Sequence, residues 1–180
     1  VQQAVKKISL TLKGQNIKNK ASLNVTFGKN YTFKANTVDQ AGKKISGITW
    51  KSSNKKIATV KNGKVTIKKK SGKTKITASV GGKSVTVTLK ASKKPVKVTK
   101  ITIGKYSKTM KVKKTQKLKV TVMQPTAANS KVVWKSSNKK IATVNKSGKV
   151  TAKKAGRVTI TATAKDGSRK KASAKITVKK

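Results

Sequence analysis

No cysteine and no histidine occur in this chain of 180 residues, and only two acidic residues, Asp39 and Asp166, stand against 48 lysines and arginines. The missing cysteines remove disulfide staples, thiol nucleophiles and thiolate metal sites together, without fixing a redox compartment. Without histidine and with so few carboxylates, the chain lacks nearly every side chain that moves protons, binds metal or attacks a carbonyl. One acid in each half of the chain makes neither a glycosidase carboxylate pair nor a calcium cage. Aromatic residues are 3% of the total, so any core must be built mainly from Val, Ile, Leu and Ala. No run approaches the roughly 18 apolar residues of a membrane span. The first seven residues have no apolar stretch of the signal-peptide kind. The expectation is a non-enzymatic binding or structural module with no cofactor and no metal.

What the chain does have is positive charge. Its formal net charge is +46, with a sequence pI near 11.1. Such an excess opposes compaction by self-repulsion, which salt screens over about 8 to 10 Å. Only Arg157 and Arg169 are arginines. Lysine is a solvated point charge, whereas arginine carries the planar fork used for bidentate reading of phosphate and guanine. The balance favours diffuse attraction to an anionic polymer over sequence-specific contact.

The second conspicuous presence is a repeat. Residues 50–60 and 134–144 are the same eleven, Trp-Lys-Ser-Ser-Asn-Lys-Lys-Ile-Ala-Thr-Val, 84 positions apart. That period is one small domain copied in tandem. Around the repeat, β-branched residues alternate with Lys, Thr and Ser, as in Val65 and Ile67, Ile76 and Ala78, Val85, Val87 and Leu89, and again in Ile160 and Ala162, Ile176 and Val178. Alternation of this kind, broken by turn residues every eight to twelve positions or so, predicts an all-β fold of two sandwiches. Turns are expected at Asn62-Gly63, Ser71-Gly72, Gly81-Gly82, Ser147-Gly148, Ala155-Gly156 and Asp166-Gly167, where residues tolerant of positive φ gather. Residues 1–94 form the first expected domain and 95–180 the second, joined end to end near 91–96, where Pro95 stiffens the connection. Phe33 precedes Trp50 by 17 residues, whereas Val120, read as its counterpart, precedes Trp134 by 14. The loop holding Asp39 to Gly42 takes up the difference.

The order Trp-x-Ser-Ser-Asn, Ile-Ala-Thr-Val, Gly-Lys-Val-Thr-Ala, Ala-Gly and Ile-Thr-Ala-Thr resembles the bacterial immunoglobulin-like domains of group 2. The second copy carries it in full through Trp134, residues 141–144, 148–152, 155–156 and 160–163, preceded by Gln124-Pro125 and by Ile101-Thr102-Ile103. The first copy has Ile67 for the Ala, Ser71-Gly72 for the Ala-Gly, and no Pro. The resemblance implies a fold of two tandem immunoglobulin-like β-sandwiches of about seven strands each. It also implies an exported bacterial, cell-surface or phage-particle setting, as adhesin stalk, spacer or accessory module. Calcium binding of the sort known in relatives, and Lys-Asn crosslinks of other adhesins, lack their acidic residues here.

Trp50 and Trp134 each follow a β-branched residue by two positions, which puts the indoles on the core face of a strand; an exposed indole stacking on sugar is the rival reading. The Ser-Ser-Asn after each Trp reads as a turn whose side chains bond local backbone. The remaining candidate site is diffuse: Lys55, Lys56, Lys68, Lys69 and Lys70 in the first copy, and Lys139, Lys140, Lys153 and Lys154 in the second. These lysines either solvate the surface and guard strand edges or hold a polyanion by many weak contacts. Anionic polysaccharide, teichoic acid and mucin-type glycans are the expected partners. Nucleic acid would be bound without specificity, since there is little aromatic surface for base stacking. The alternative is a purely structural stalk or phage-surface decoration whose lysines serve solubility.

Overall fold

The computed structural model describes residues 4–124, 126–127 and 129–180, and among these every regular element is a strand. Pro125, part of the Gln124-Pro125 match, lies outside the described residues. The chain divides into two compact units, 1–96 and 97–180. Residues 91–92, read from sequence as the start of a connector, are the last two of a strand. Val96, buried, donates its N–H to Thr26 Oγ1.

The first unit runs β1 (Val5–Leu12), β2 (Gln15–Ile17), β3 (Ser22–Thr26), β4 (Asn30–Asp39), β5 (Thr49–Ser52), β6 (Ala58–Lys61), β7 (Lys64–Ile67), β8 (Gly72–Val80) and β9 (Lys83–Ser92). One sheet has the order β2-β1-β4-β7-β6 and the other β3-β9-β8-β5. All pairs are antiparallel except β3 with β9. Because side chains alternate across a strand, the apolar set of each sheet faces the other. Leu10, Leu12, Phe33, Val65 and Ile67 meet Val25, Ile76, Ala78, Val87 and Leu89 in one cluster. This is a sandwich with a single aliphatic core.

The second unit repeats the plan with β10 (Lys100–Ile103), β11 (Thr109–Lys111), β12 (Thr115–Lys117), β13 (Val120–Met123), β14 (Val132–Ser136), β15 (Ala142–Val144), β16 (Lys149–Ala152), β17 (Gly156–Ala164) and β18 (Lys171–Lys179). Its sheets are β11-β18-β17-β14, β12-β16-β15 and the pair β10-β13, with β11 parallel to β18 as β3 is to β9. The main core gathers Met110, Leu118, Val150, Ile160 and Ile176. A separate, smaller cluster gathers Val98, Ile101, Ala127 and Ala164. Both units are immunoglobulin-like sandwiches.

Register corrects one sequence alignment. The Leu118 N–H donates to the Gly148 carbonyl as Phe33 N–H does to Gly63 (2.9 Å in each). Thr115 pairs with Thr151 as Asn30 pairs with Thr66. Leu118, not Val120, is therefore the counterpart of Phe33, and the loops that follow differ by one residue rather than three. Not every expected turn is a hairpin, either. Asn62-Gly63 and Gly81-Gly82 close tight hairpins at positive φ, but Gly72 and Gly156 open strands β8 and β17.

Candidate functional site

The repeated eleven residues are a folding device in both units. Along β5, Trp50 and Ser52 point inward; along β14, Trp134 and Ser136 do the same. The buried Ser52 hydroxyl donates to the Ala58 carbonyl, and Ser136 to that of Ala142, at 2.7 Å in each. The next hydroxyls, Ser53 and Ser137, accept from the N–H groups of Lys75 (2.8 Å) and Thr159 (2.9 Å). Asn54 Oδ1 accepts from Lys56 N–H (3.0 Å) and Asn138 Oδ1 from Lys140 N–H (2.9 Å). The Ser-Ser-Asn side chains thus satisfy backbone groups of the crossing between sheets, which strand ladders cannot reach.

Both indoles are half-buried and pack against their own cores. Each lies over a turn glycine. A Cβ on Gly148 would come within 2.9 Å of the Trp134 ring and 2.8 Å of the Leu118 carbonyl oxygen, and one on Gly63 would meet the Trp50 ring at 3.1 Å and overlap the Phe33 carbonyl. Both glycines sit at φ near +80°, which other residues adopt only at a cost.

All nine candidate lysines are exposed. The structure brings the pairs that are distant in sequence together. Lys68 N–H donates to the Ile57 carbonyl at 2.8 Å, so residues 68–70 lie beside Lys55 and Lys56. In the second unit the N–H groups of Lys153 and Lys154 both donate to the Ile141 carbonyl (2.7 and 3.2 Å), beside Lys139 and Lys140. Lys113 and Lys114 join them through backbone bonds with Ala152, Lys113 N–H donating to its carbonyl and Ala152 N–H to that of Lys114. Each unit therefore carries a cationic cluster where two or three chain crossings meet. No sequence spacing announces this, because the crossings are set by which sheet each strand joins.

The acids are used structurally. Asp39 is buried, and its carboxylate accepts from Lys43 N–H at 2.8 Å across a turn. Asp166 accepts from Val98 N–H and from Ser168 N–H (2.9 Å), tying the β17–β18 hairpin to the first residues of its unit. Burial pushes its carboxyl upward, but hydrogen bonds from the Ser168 side chain and from the Val98 and Ser168 backbone outweigh it and hold the group below the ordinary value. Among the described residues no three His, Cys, Asp or Glu gather as a metal site.

Sequence reasoning passed over a groove in the second unit. Lys131, Val133, Trp134, Asn145, Lys146 and Lys165 line an open hollow of about 610 Å³ beside β14, the last strand of its sheet. Its signal is the Val132-Val133-Trp134 run, where alternation calls for a polar residue at 133; Val133 is 53% exposed.

The family model for the bacterial Ig-like domain (group 2) matches residues 97–176, which lie in the second unit. An uncharacterized protein of Clostridium acetobutylicum is 39% identical over 83 residues, which are 46% of this chain and 9% of that protein. The chain thus matches less than a tenth of that relative's length. Among solved structures, domains 4 and 5 of the S-layer protein SbsC are similar at 21% identity, with 97% of this chain and 98% of that fragment covered and a TM-score of 0.45. The Escherichia coli adhesin FdeC is similar at 15% identity, with 98% and 66% covered and a TM-score of 0.39.

Proposed function

We propose that the chain is a non-enzymatic adhesive or spacing segment of a bacterial surface protein, held electrostatically against anionic polymers such as teichoic acid or acidic glycans. The observation that carries this reading is the gathering of exposed lysines into a cluster on each unit, in a chain whose two carboxylates are engaged by backbone N–H groups. A cationic surface with no internal counter-charge gains free energy from an external one, by Coulomb attraction and by release of the polymer's counterions. Two clusters on one chain add by avidity. The family match in the second unit supports a module of this class, and so does a composition with no histidine, no cysteine and two carboxylates.

The test is retention on immobilised wall teichoic acid and on heparin as salt is raised. Counterion release predicts tight retention at low salt and loss well below molar salt. Retention that is indifferent to salt would refute the electrostatic reading. So would unchanged retention after Lys-to-Gln replacement of the nine candidate lysines, an outcome that favours a stalk whose lysines serve solubility.

A further inference from the structure

We infer that the groove beside β14 is a discrete binding site for one carboxylate-bearing sugar residue, a uronic acid unit of an acidic polysaccharide. The inference rests on the anionic-polymer reading and names the place where polymer chemistry is recognised rather than merely attracted. The hollow has the volume of small-molecule sites, ~300–1,000 Å³, and it combines two surfaces that such a sugar presents. Val133, 53% exposed, offers apolar surface against which the C–H face of a pyranose packs, and the half-buried Trp134 lines the hollow beside it. Lys131, Lys146 and Lys165 are part of its lining, and an ammonium group is complementary to a ring carboxylate. The walls are held. Lys165 N–H donates to the Lys131 carbonyl (2.9 Å), and Asn145 Oδ1 accepts from the N–H groups of Ser147 (3.0 Å) and Lys149 (2.9 Å).

A second, independent observation comes from the tandem copy. Trp134 and Val144 belong to the repeated eleven residues, but the rest of the lining does not. Through the shared register, Lys131 corresponds to Gly47, Val133 to Thr49 and Lys165 to Gly81; Asn62 stands where Lys146 does, in a turn one residue shorter. The first unit keeps the indole but lacks the valine and the three lysines at these positions, and carries Lys61 where the second has Asn145. Both units fold on the same repeat, so these exposed differences are not required by the fold.

The chain contains only two tryptophans, one in each unit, so their indole N–H signals in a two-dimensional NMR spectrum report the two places separately. The intact chain is titrated with a tetramer of galacturonic acid and, in parallel, with a tetraglutamate peptide of equal charge; Trp50→Phe assigns the signals. The site predicts saturable displacement of the Trp134 signal by the tetragalacturonate, no displacement of Trp50, and weaker displacement by the peptide. Val133→Asp, at an exposed position, is expected to weaken the sugar titration about tenfold, and Lys146→Gln about threefold. A Trp134 signal that stays still while lysine-bearing segments of both units move would overturn this site and leave diffuse attraction standing. Absence of any response to either anion would overturn both. An equal or stronger response to tetraglutamate would overturn the sugar assignment in favour of an acidic peptide.

Discussion

The two units are built on the same eleven residues and share most of their strand pairings, yet they close their interiors differently. In the first, both sheets contribute to one continuous cluster that includes Phe33 and Tyr31. In the second, Leu118 and Gln116 stand at those positions, and Ala172 and Ala174 stand where the first unit has Val85 and Val87. Less volume reaches the middle, and the apolar residues separate into two clusters. The hairpins joining the long strands differ as well. Gly81 lies against Val5 so closely that a Cβ there would overlap its side chain, whereas the corresponding hairpin carries Lys165 and Asp166, and the carboxylate grips Val98 N–H. Close backbone approach fixes the first strand in one unit and a charge-assisted hydrogen bond in the other. The repeat supplies the scaffold; its flanks decide what each copy presents.

The largest effect expected from a single change tests whether the repeat really works alike in both places. Gly148→Val places a branched side chain at positive φ, against both the Trp134 ring and the Leu118 carbonyl. Strain and overpacking together are expected to cost about 3–5 kcal/mol. Gly63→Val is expected to cost as much in its own unit. Thermal melting followed separately through the two indoles would show each variant lowering one transition only. Equal loss in both transitions for either variant would mean that the units do not fold independently.

A smaller difference lies under the Ser-Ser-Asn turns. In the first unit the buried Thr74 hydroxyl lies 3.1 Å from Ser52 Oγ and accepts from Asn54 N–H at 3.0 Å. The second unit has Val158 at this place, and Asn138 N–H turns to Ser136 Oγ at 3.3 Å. Thr74→Val therefore converts one arrangement into the other. Its cost should stay near 1 kcal/mol, because the amide has an alternative acceptor, while Ser52→Ala, which strands the Ala58 carbonyl, should cost about 2 kcal/mol. Urea denaturation of both variants checks the order; a Thr74→Val loss exceeding that of Ser52→Ala would break the equivalence of the two turns.

Acid should separate the units further. The folded state holds the Asp166 carboxyl below its ordinary value, so the unfolded chain takes up the proton first as pH falls. The resulting stability is complete above the ordinary carboxylate range and is lost as pH drops through the lowered folded value. The expected loss is small, because the group is partly exposed and solvent screens it. Asp166→Asn should remove the same amount at neutral pH and flatten the acid limb of the Trp134 transition. An unchanged acid limb would show that the Val98 tie contributes nothing.

The β-sandwich was legible in the sequence because a half-buried strand writes its burial directly into alternation. Val65 and Ile67, or Ile160 and Ala162, have only one face to hide. The Trp-to-Ser spacing placed Ser52 and Ser136 on the same face, and their turn chemistry followed from residue type. Legibility ended where contacts depend on which sheet a strand joins. The meeting of Lys113, Lys139 and Lys153 is set by three crossings, and the pairing of Leu118 rather than Val120 with Phe33 by register. The groove beside β14 was hidden for a related reason: Lys131, Lys146 and Lys165 are ordinary members of a lysine-rich surface until the backbone folds them around Val133.

The smallest effect concerns the lysines themselves. In the second unit Lys113, Lys114, Lys139, Lys140, Lys153 and Lys154 share one place, against Lys55, Lys56, residues 68–70 and Lys29, whose carbonyl accepts from Ile67 N–H, in the first. Their mutual repulsion is exposed to solvent, so each pair costs only a few tenths of a kcal/mol and salt screens it. Replacing Lys153 and Lys154 by Gln should accordingly raise the Trp134 transition by a degree or two at low ionic strength, and by nothing measurable in molar salt. The same replacement should weaken retention on teichoic acid. A cluster kept for binding must lose one property as it gains the other, so a variant that gained stability without losing retention would place the adhesive contact elsewhere on the surface.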